Sequence, residues 1–161
     1  MNKKKYTIAQ ILPALNTGGV ERGVIEISKS LNDNDFKSIV ISSGGHMVSQ
    51  LRRTGTTHYE LSVNTKNPIK WPKIRKQVKL ILEKENVDLI HLCSRAPAWI
   101  VFPLGRMLDI PVITSVHMRF RKTNFLKKYY NSILTRGNSI IAISKHIEDS
   151  IKKSFPKVSN K

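Results

Sequence analysis

Short unbroken apolar runs alternate along this chain with segments in which apolar residues recur every three or four positions. Residues 6–12, 37–42, 87–92, 111–116 and 139–143 are runs of the first kind, and 57–62 is a weaker one. They lack the in–out alternation of a half-exposed strand, so each predicts a strand covered on both faces. Val20, Val24, Ile27 and Leu31 mark one face of a first helix. Ile74, Val78, Ile81 and Leu82 mark a longer helix, whose start is flanked by Pro68 and Pro72. Phe125, Tyr129 and Ile133, and later Ile147, Ile151 and Phe155, recur at four-residue spacing and predict two more. A short helix is expected at 47–53, stopped by Gly55, and an apolar one at 95–108 that Pro103 should kink or divide. Strand and helix alternate throughout, which predicts α/β architecture: a doubly wound parallel sheet with helices on both faces. The domain is expected to span 1–155, with 156–161 as a tail or the start of a linker.

Composition narrows the class. The chain has 161 residues, 40% of them apolar, and a single cysteine. That apolar content excludes a disordered polycation, and one cysteine excludes a disulfide framework or a Cys-based zinc site. The longest apolar stretch, 96–105, is about half of what a bilayer-spanning helix needs. Lys3, Lys4 and Lys5 precede an apolar run as in a signal peptide, but Gln10 and Pro13 interrupt it and no small-x-small site follows Ala14. A cytoplasmic protein is expected. Lys and Arg total 28 against 11 Asp and Glu, a formal net charge of +17. Lysine outnumbers arginine by 19 to 9, which reads as a solvated or membrane-facing surface more readily than as base recognition. Aromatics are not interleaved with the basic clusters, so no nucleic-acid partner is expected.

In an open parallel sheet, ligands bind beyond the carboxyl ends of the strands. Gly18 and Gly19 stand there after the first strand, opening a helix whose N-terminus favours an anion; taken alone the pair is a weak signal, and a plain tight turn is its simpler explanation. The spacing is not GxGxxG, and Ser42 and Ser43 stand where an acidic ribose ligand would end the second strand, which argues against a nicotinamide enzyme. Glu21 falls in the first helical turn, where the helix dipole suits a carboxylate. His117 follows the fifth strand at its carboxyl end, as a proton carrier or a hydrogen-bonded loop histidine. His91 reads as a packed core residue, and His46, His58 and His146 as surface histidines. No pair has metal-ligand spacing, so no metal is expected. Cys93 closes a buried strand without a neighbouring His or Lys and reads as an inert thiol.

Several segments together resemble the bacterial family 4 glycosyltransferases. Gly18-Gly19-Val20-Glu21-Arg22 looks like their GGVER opening, and Ser94-Arg95-Ala96-Pro97-Ala98-Trp99 like the SRAPAW segment of one subgroup. Thr114-Ser115-Val116-His117 is similar to their TT-x-H-G, with Met118 where glycine is common, and Ile141-Ala142-Ile143-Ser144 resembles the AVS that closes their first domain. The resemblance implies the Rossmann-like N-terminal half of a GT-B fold, and sugar transfer from a nucleotide-sugar with retention and without metal or other cofactor. Gly18 and Gly19 would lie against the donor diphosphate, His117 by the transferred sugar, and Arg95, Ser94 and Glu21 on the acceptor side. The acceptor would be an envelope glycolipid or lipopolysaccharide precursor. Lys70, Lys73 and Lys76, with Arg75 and Lys79 beside them, and the loop carrying Arg119 and Arg121 would dock on an anionic inner-membrane surface. The family's C-terminal donor-binding domain has no counterpart here, so a separate donor-binding chain is an expected partner. The alternative is a non-enzymatic remnant or a membrane-binding module.

Overall fold

The computed structural model describes residues 5–120 and 124–158. The chain runs β1 (Thr7–Ile11), α1 (Gly19–Asp33), β2 (Lys37–Ser42), α2 (Val48–Arg52), β3 (Thr57–Glu60), α3 (Trp71–Lys84), β4 (Leu89–Leu92), α4 (Arg95–Met107), β5 (Val112–Val116), α5 (Phe125–Asn131), β6 (Ser139–Ala142) and α6 (Lys145–Ser154). Every strand pairing is parallel, and the sheet order is β3-β2-β1-β4-β5-β6. Chain order therefore reverses between β1 and β4, and the predicted doubly wound sheet is present. Among the described residues, no helix is long and apolar enough to cross a membrane.

Two apolar layers hold the sheet. Ala9, Ile11, Ile39, Ile41, Ile90 and Leu92 pack with Ile74, Val78 and Leu82 of α3 and Ile100, Val101 and Leu104 of α4. On the other face Leu12, Val40 and Cys93 meet Val24 and Ile25 of α1 and Leu51 of α2. Each fully buried aliphatic side chain contributes about 1.5–3 kcal/mol through removal from water. The α4–β5 contact is close: a Cβ at Gly105 would collide with Cγ2 of Val112 and stand 3.0 Å from the Ile110 carbonyl.

Three expectations need correction. The buried side of α1 is Val24, Ile25 and Ser28, while Ile27 is 41% exposed. The cause is Gln10, a buried polar residue on β1, whose amide donates to the Val24 carbonyl at 3.2 Å and to Ser28 Oγ at 2.8 Å. Those two donations from Nε2 turn a serine, not Ile27, toward the sheet, while Gln10 Oε1 is buried without a partner.

Pro103 does not divide α4, which continues from Arg95 to Met107. Proline removes one helical hydrogen bond, but Ile100, Val101 and Leu104 are buried on either side of it. Arg75 Nε donates to the Ile100 carbonyl at 2.9 Å and straps α3 to this turn.

The third correction concerns the stripe at 125, 129 and 133. Phe125 is 81% and Tyr129 53% exposed, and only Ile133 is buried. The helix tightens into a 3-10 turn over Ser132–Thr135, and that tighter turn carries Ile133 and Leu134 into the core.

Candidate functional site

A cavity of about 170 Å³ opens at the carboxyl ends of β1, β4 and β5, where the strand order reverses. Glu21 of α1, Ser94 and Arg95 at the start of α4, and His117 and Arg119 after β5 all line it. Three segments far apart in sequence are thus brought together by the topology, as expected for an open parallel sheet. The residues named for catalysis and for the acceptor side share one wall-to-wall space.

His117 is half-buried, and its Nε2 is buried without a hydrogen-bond partner. Burial holds the imidazole below its usual pKa, and the nearby Glu21 carboxylate partly opposes that shift. The ring is therefore predominantly neutral near pH 7, and it shares the cavity lining with the Glu21 carboxylate.

Beneath it lies a polar pair that sequence reasoning missed. His91 Nε2 hydrogen-bonds Ser115 Oγ across the β4–β5 ladder, and both residues are buried. Burial, reinforced by the neighbouring His117, pushes the His91 pKa down to about 4. Cys93 Sγ stands 3.7 Å from His91 Nε2, so the thiol does have a histidine beside it. It remains inert, because burial raises its pKa to about 12. The signal available in sequence was only the spacing of His91 and Cys93, two apart and therefore on one face of a strand.

Arg95 is tethered. Its Nη1 donates to Oδ1 of Asn131 at 2.8 Å, and its guanidinium lies 6.0 Å from the Tyr130 ring centroid. Asn131 is 4% exposed and was not singled out from sequence. Trp99, one helical turn on, donates from Nε1 to the Tyr130 carbonyl at 3.1 Å and packs 5.2 Å from the Tyr129 ring. In the SRAPAW segment, then, Trp99 docks α5 against α4, Pro97 and Ala98 are buried, and Arg95 reaches the cavity rim. The Ser94 side chain does not cap α4 and lines the cavity.

Gly18 precedes α1 in extended conformation, and its carbonyl accepts the Arg22 N–H at 3.2 Å. A Cβ there would meet the end of the Glu21 side chain, while one at Gly19 would meet nothing within 4 Å. Neither glycine is demanded by packing within the chain. Gly45, by contrast, has φ of 137° and sits against the Leu15 carbonyl, which binds the loops after β1 and β2 together.

The remaining candidates disperse. Lys70, Lys73 and Lys76 are exposed at the start of α3. Arg75 is the strap to α4, and Lys79 pairs with Glu83 at 3.5 Å. Arg119 lines the cavity as well as being exposed; Arg121 lies outside the described residues. His46 and His146 are exposed, but His58 is half-buried and bonded to Ser42 Oγ at 2.8 Å, contrary to a surface reading. Among the described residues, no three His, Cys, Asp or Glu side chains are grouped to hold a metal ion.

Residues 17–160 match the family model described as Glycosyltransferase Family 4. A glycosyltransferase from Rickettsia africae ESF-5 is similar at 38% identity with a TM-score of 0.80, over 94% of this chain and 40% of that one. HepE from Anabaena, solved with UDP and glucose, superposes with a TM-score of 0.74 at 14% identity, over 92% of this chain and 41% of its own. MurG of Acinetobacter baumannii gives 0.63 at 14%, over 89% and 42%. No curated protein is similar at a significant level. The chain spans about two fifths of the length of these structures, whose shared fold is that of the GT-B glycosyltransferases. The family match, the 38% identity and the sheet that carries both agree: this chain belongs to glycosyltransferase family 4.

Proposed function

We propose that this domain is the acceptor-binding half of a retaining glycosyltransferase that moves a sugar from a nucleotide-sugar to an envelope glycolipid or lipopolysaccharide precursor. The observation that carries this reading is the convergence of Glu21, Ser94, Arg95 and His117 on one cavity at the reversal of strand order. The unpartnered Nε2 of His117 supplies a hydrogen-bonding group for a hydroxyl of the sugar in transit. Gly18 and Gly19, which packing does not require, leave the N-terminus of α1 open to the donor diphosphate. Solved proteins of this fold include one with bound UDP-glucose, which supports a nucleotide-sugar donor here. The donor-binding half is supplied from outside these 161 residues, on the same or a separate chain. The domain works in the cytoplasm, with Lys70, Lys73, Lys76 and the loop of Arg119 and Arg121 toward the inner membrane.

The test is reconstitution. The domain is combined with a donor-binding half, and transfer from nucleotide-sugar to extracted glycolipid is followed with a radiolabelled donor. His117→Ala is expected to lower transfer at least about a hundredfold, the range for losing a group that acts on the reacting centre, with thermal unfolding unchanged. Turnover by the variant equal to that of the unsubstituted pair would refute the role of His117. The absence of product with every donor tried would refute a working transferase.

A further inference from the structure

A parallel sheet is normally covered on both faces. Here one face is covered as far as its last strand and the other is not. The layer built on α3 and α4 continues to the end of the sheet: Ile133 and Leu134 of the 3-10 turn and Ile147 and Ile151 of α6 belong to it, and Ile140 and Ala142 of β6 pack against it. The opposite layer, that of α1 and α2, draws on β2, on the loop after β1 and on Cys93 after β4, and includes no residue of β5 or β6. Ile141 and Ile143 alternate with Ile140 and Ala142 and so turn to that second side. They are 43% and 54% exposed.

The outer edge of β6 is open as well. β6 stands last in the sheet order, and its partner among the described residues is β5 alone. Edge strands are usually blunted by a lysine, a proline or a bulge. Residues 139–143 carry no charge and no proline, and β6 keeps an unbroken register on β5 from Ser139 to Ala142. The strand at the other edge, β3, carries His58 and Glu60. Nothing in β6 discourages a further strand from pairing with it.

The order of elements says where such a strand fits. β4, β5 and β6 step outward one position at a time, and the segments that connect them lie in a single layer. α6 lies in that same layer. A right-handed crossover through α6 would lead to a parallel strand on the far side of β6. Among the described residues α6 is followed by a 3-10 turn at Pro156–Val158 and by no strand. A second copy of this chain is a poor occupant, because it would bring its own +17 against an equal charge.

We propose that β6 is the docking edge for the donor-binding half: a strand of that half pairs in parallel with Ser139–Ala142, and apolar side chains beside it cover Ile141 and Ile143. The inference rests on the transferase reading for there being a donor-binding half. The solved relatives have most of their length outside the part that this chain matches, and so have the material for such a strand. Main-chain hydrogen bonds supply the attraction and the two isoleucines the selectivity.

The test is co-expression of the full chain with the portion of the Rickettsia africae glycosyltransferase that it does not match, followed by amide hydrogen exchange. A complex is expected, in which the amides of 139–143 exchange at least about tenfold more slowly than in the chain alone while those of β3 do not change. Ile141→Lys with Ile143→Lys, both exposed positions, is expected to weaken association by about tenfold or more with the thermal transition unchanged. Ile69→Lys, an exposed isoleucine away from β6, should associate like the original chain. The proposal is overturned if no complex forms, if a complex forms without slower exchange at 139–143, or if the double variant associates like the original. It is overturned too if the chain alone shows that slowing as its concentration rises, which would give the edge to a second copy. Should the double variant fail to unfold cooperatively, exchange at 139–143 in the unsubstituted pair decides alone. A complex protected at β6 that transfers no sugar overturns the transferase reading and leaves the docking edge standing.

Discussion

A histidine at 3% exposure between two strands can hold a proton only by losing hydration that the sheet does not replace. His91 is that residue, and its pKa of about 4 against an ordinary 6.5 has a consequence for stability. As pH falls below 6.5, the unfolded chain binds a proton at this position and the folded chain does not. The folded state therefore loses stability between pH 6.5 and about 4, and no further below that range. Linkage sets the loss from this one group at about 2 kcal/mol between pH 7 and pH 5. His58 and His117, both held below their ordinary pKa by burial, act in the same direction. Urea unfolding at the two pH values measures the effect. His91→Gln, which removes the titrating ring, should flatten most of the slope, and an unchanged slope would show that His91 does not carry it.

Among the elements, α6 shows how local chemistry fixes a boundary. Ser144 is extended and its hydroxyl accepts the Ile147 N–H at 3.3 Å, Glu148 lies in the first turn, and Lys152 and Lys153 lie in the last. Cap and dipole agree, so Ser144→Ala should lower stability by about 1 kcal/mol, read from the denaturation midpoint with an unchanged slope. Elements of this kind were legible in the sequence. β2 at Lys37–Ser42 and α3, with its buried Ile74, Val78 and Leu82, follow the apolar pattern directly. What was not legible depends on partners from other parts of the chain. Gln10 turned α1 by about one position, Arg75 became a strap, and Asn131 became the holder of Arg95. Periodicity cannot announce these, because each is set by a polar group on another element that must be satisfied once buried. The His117 cavity was legible to the extent that strand ends gather ligand-facing residues.

For the molecule as a whole, the formal charge of +17 matters less than where it is left unpaired. Late in α3 Lys79 is matched by Glu83 at 3.5 Å. At its start Lys70, Lys73 and Lys76 are exposed and have no ionic partner among the described residues, and Ile69 beside them is 86% exposed. This end of α3 follows β3, so it lies at the same edge of the parallel sheet as the His117 cavity. On the proposed reading the acceptor is lipid-borne and enters from a membrane, and a basic rim at this edge would bring the cavity to it. Each lysine near an anionic surface contributes about 1 kcal/mol, so three together are worth about a hundredfold in affinity. Sedimentation with vesicles of phosphatidylglycerol and phosphatidylcholine should therefore carry the chain down, and vesicles of phosphatidylcholine alone should not. Replacing Lys70, Lys73 and Lys76 together by Gln should cost most of that binding while leaving the thermal transition in place, because none of the three packs into the core. Raising the salt should weaken the original chain more than the triple variant, since screening acts only on charges still present. Binding that ignores lipid charge, or a triple variant that sediments like its parent, would move the membrane contact away from α3 and leave the lysines as an ordinary solvated face.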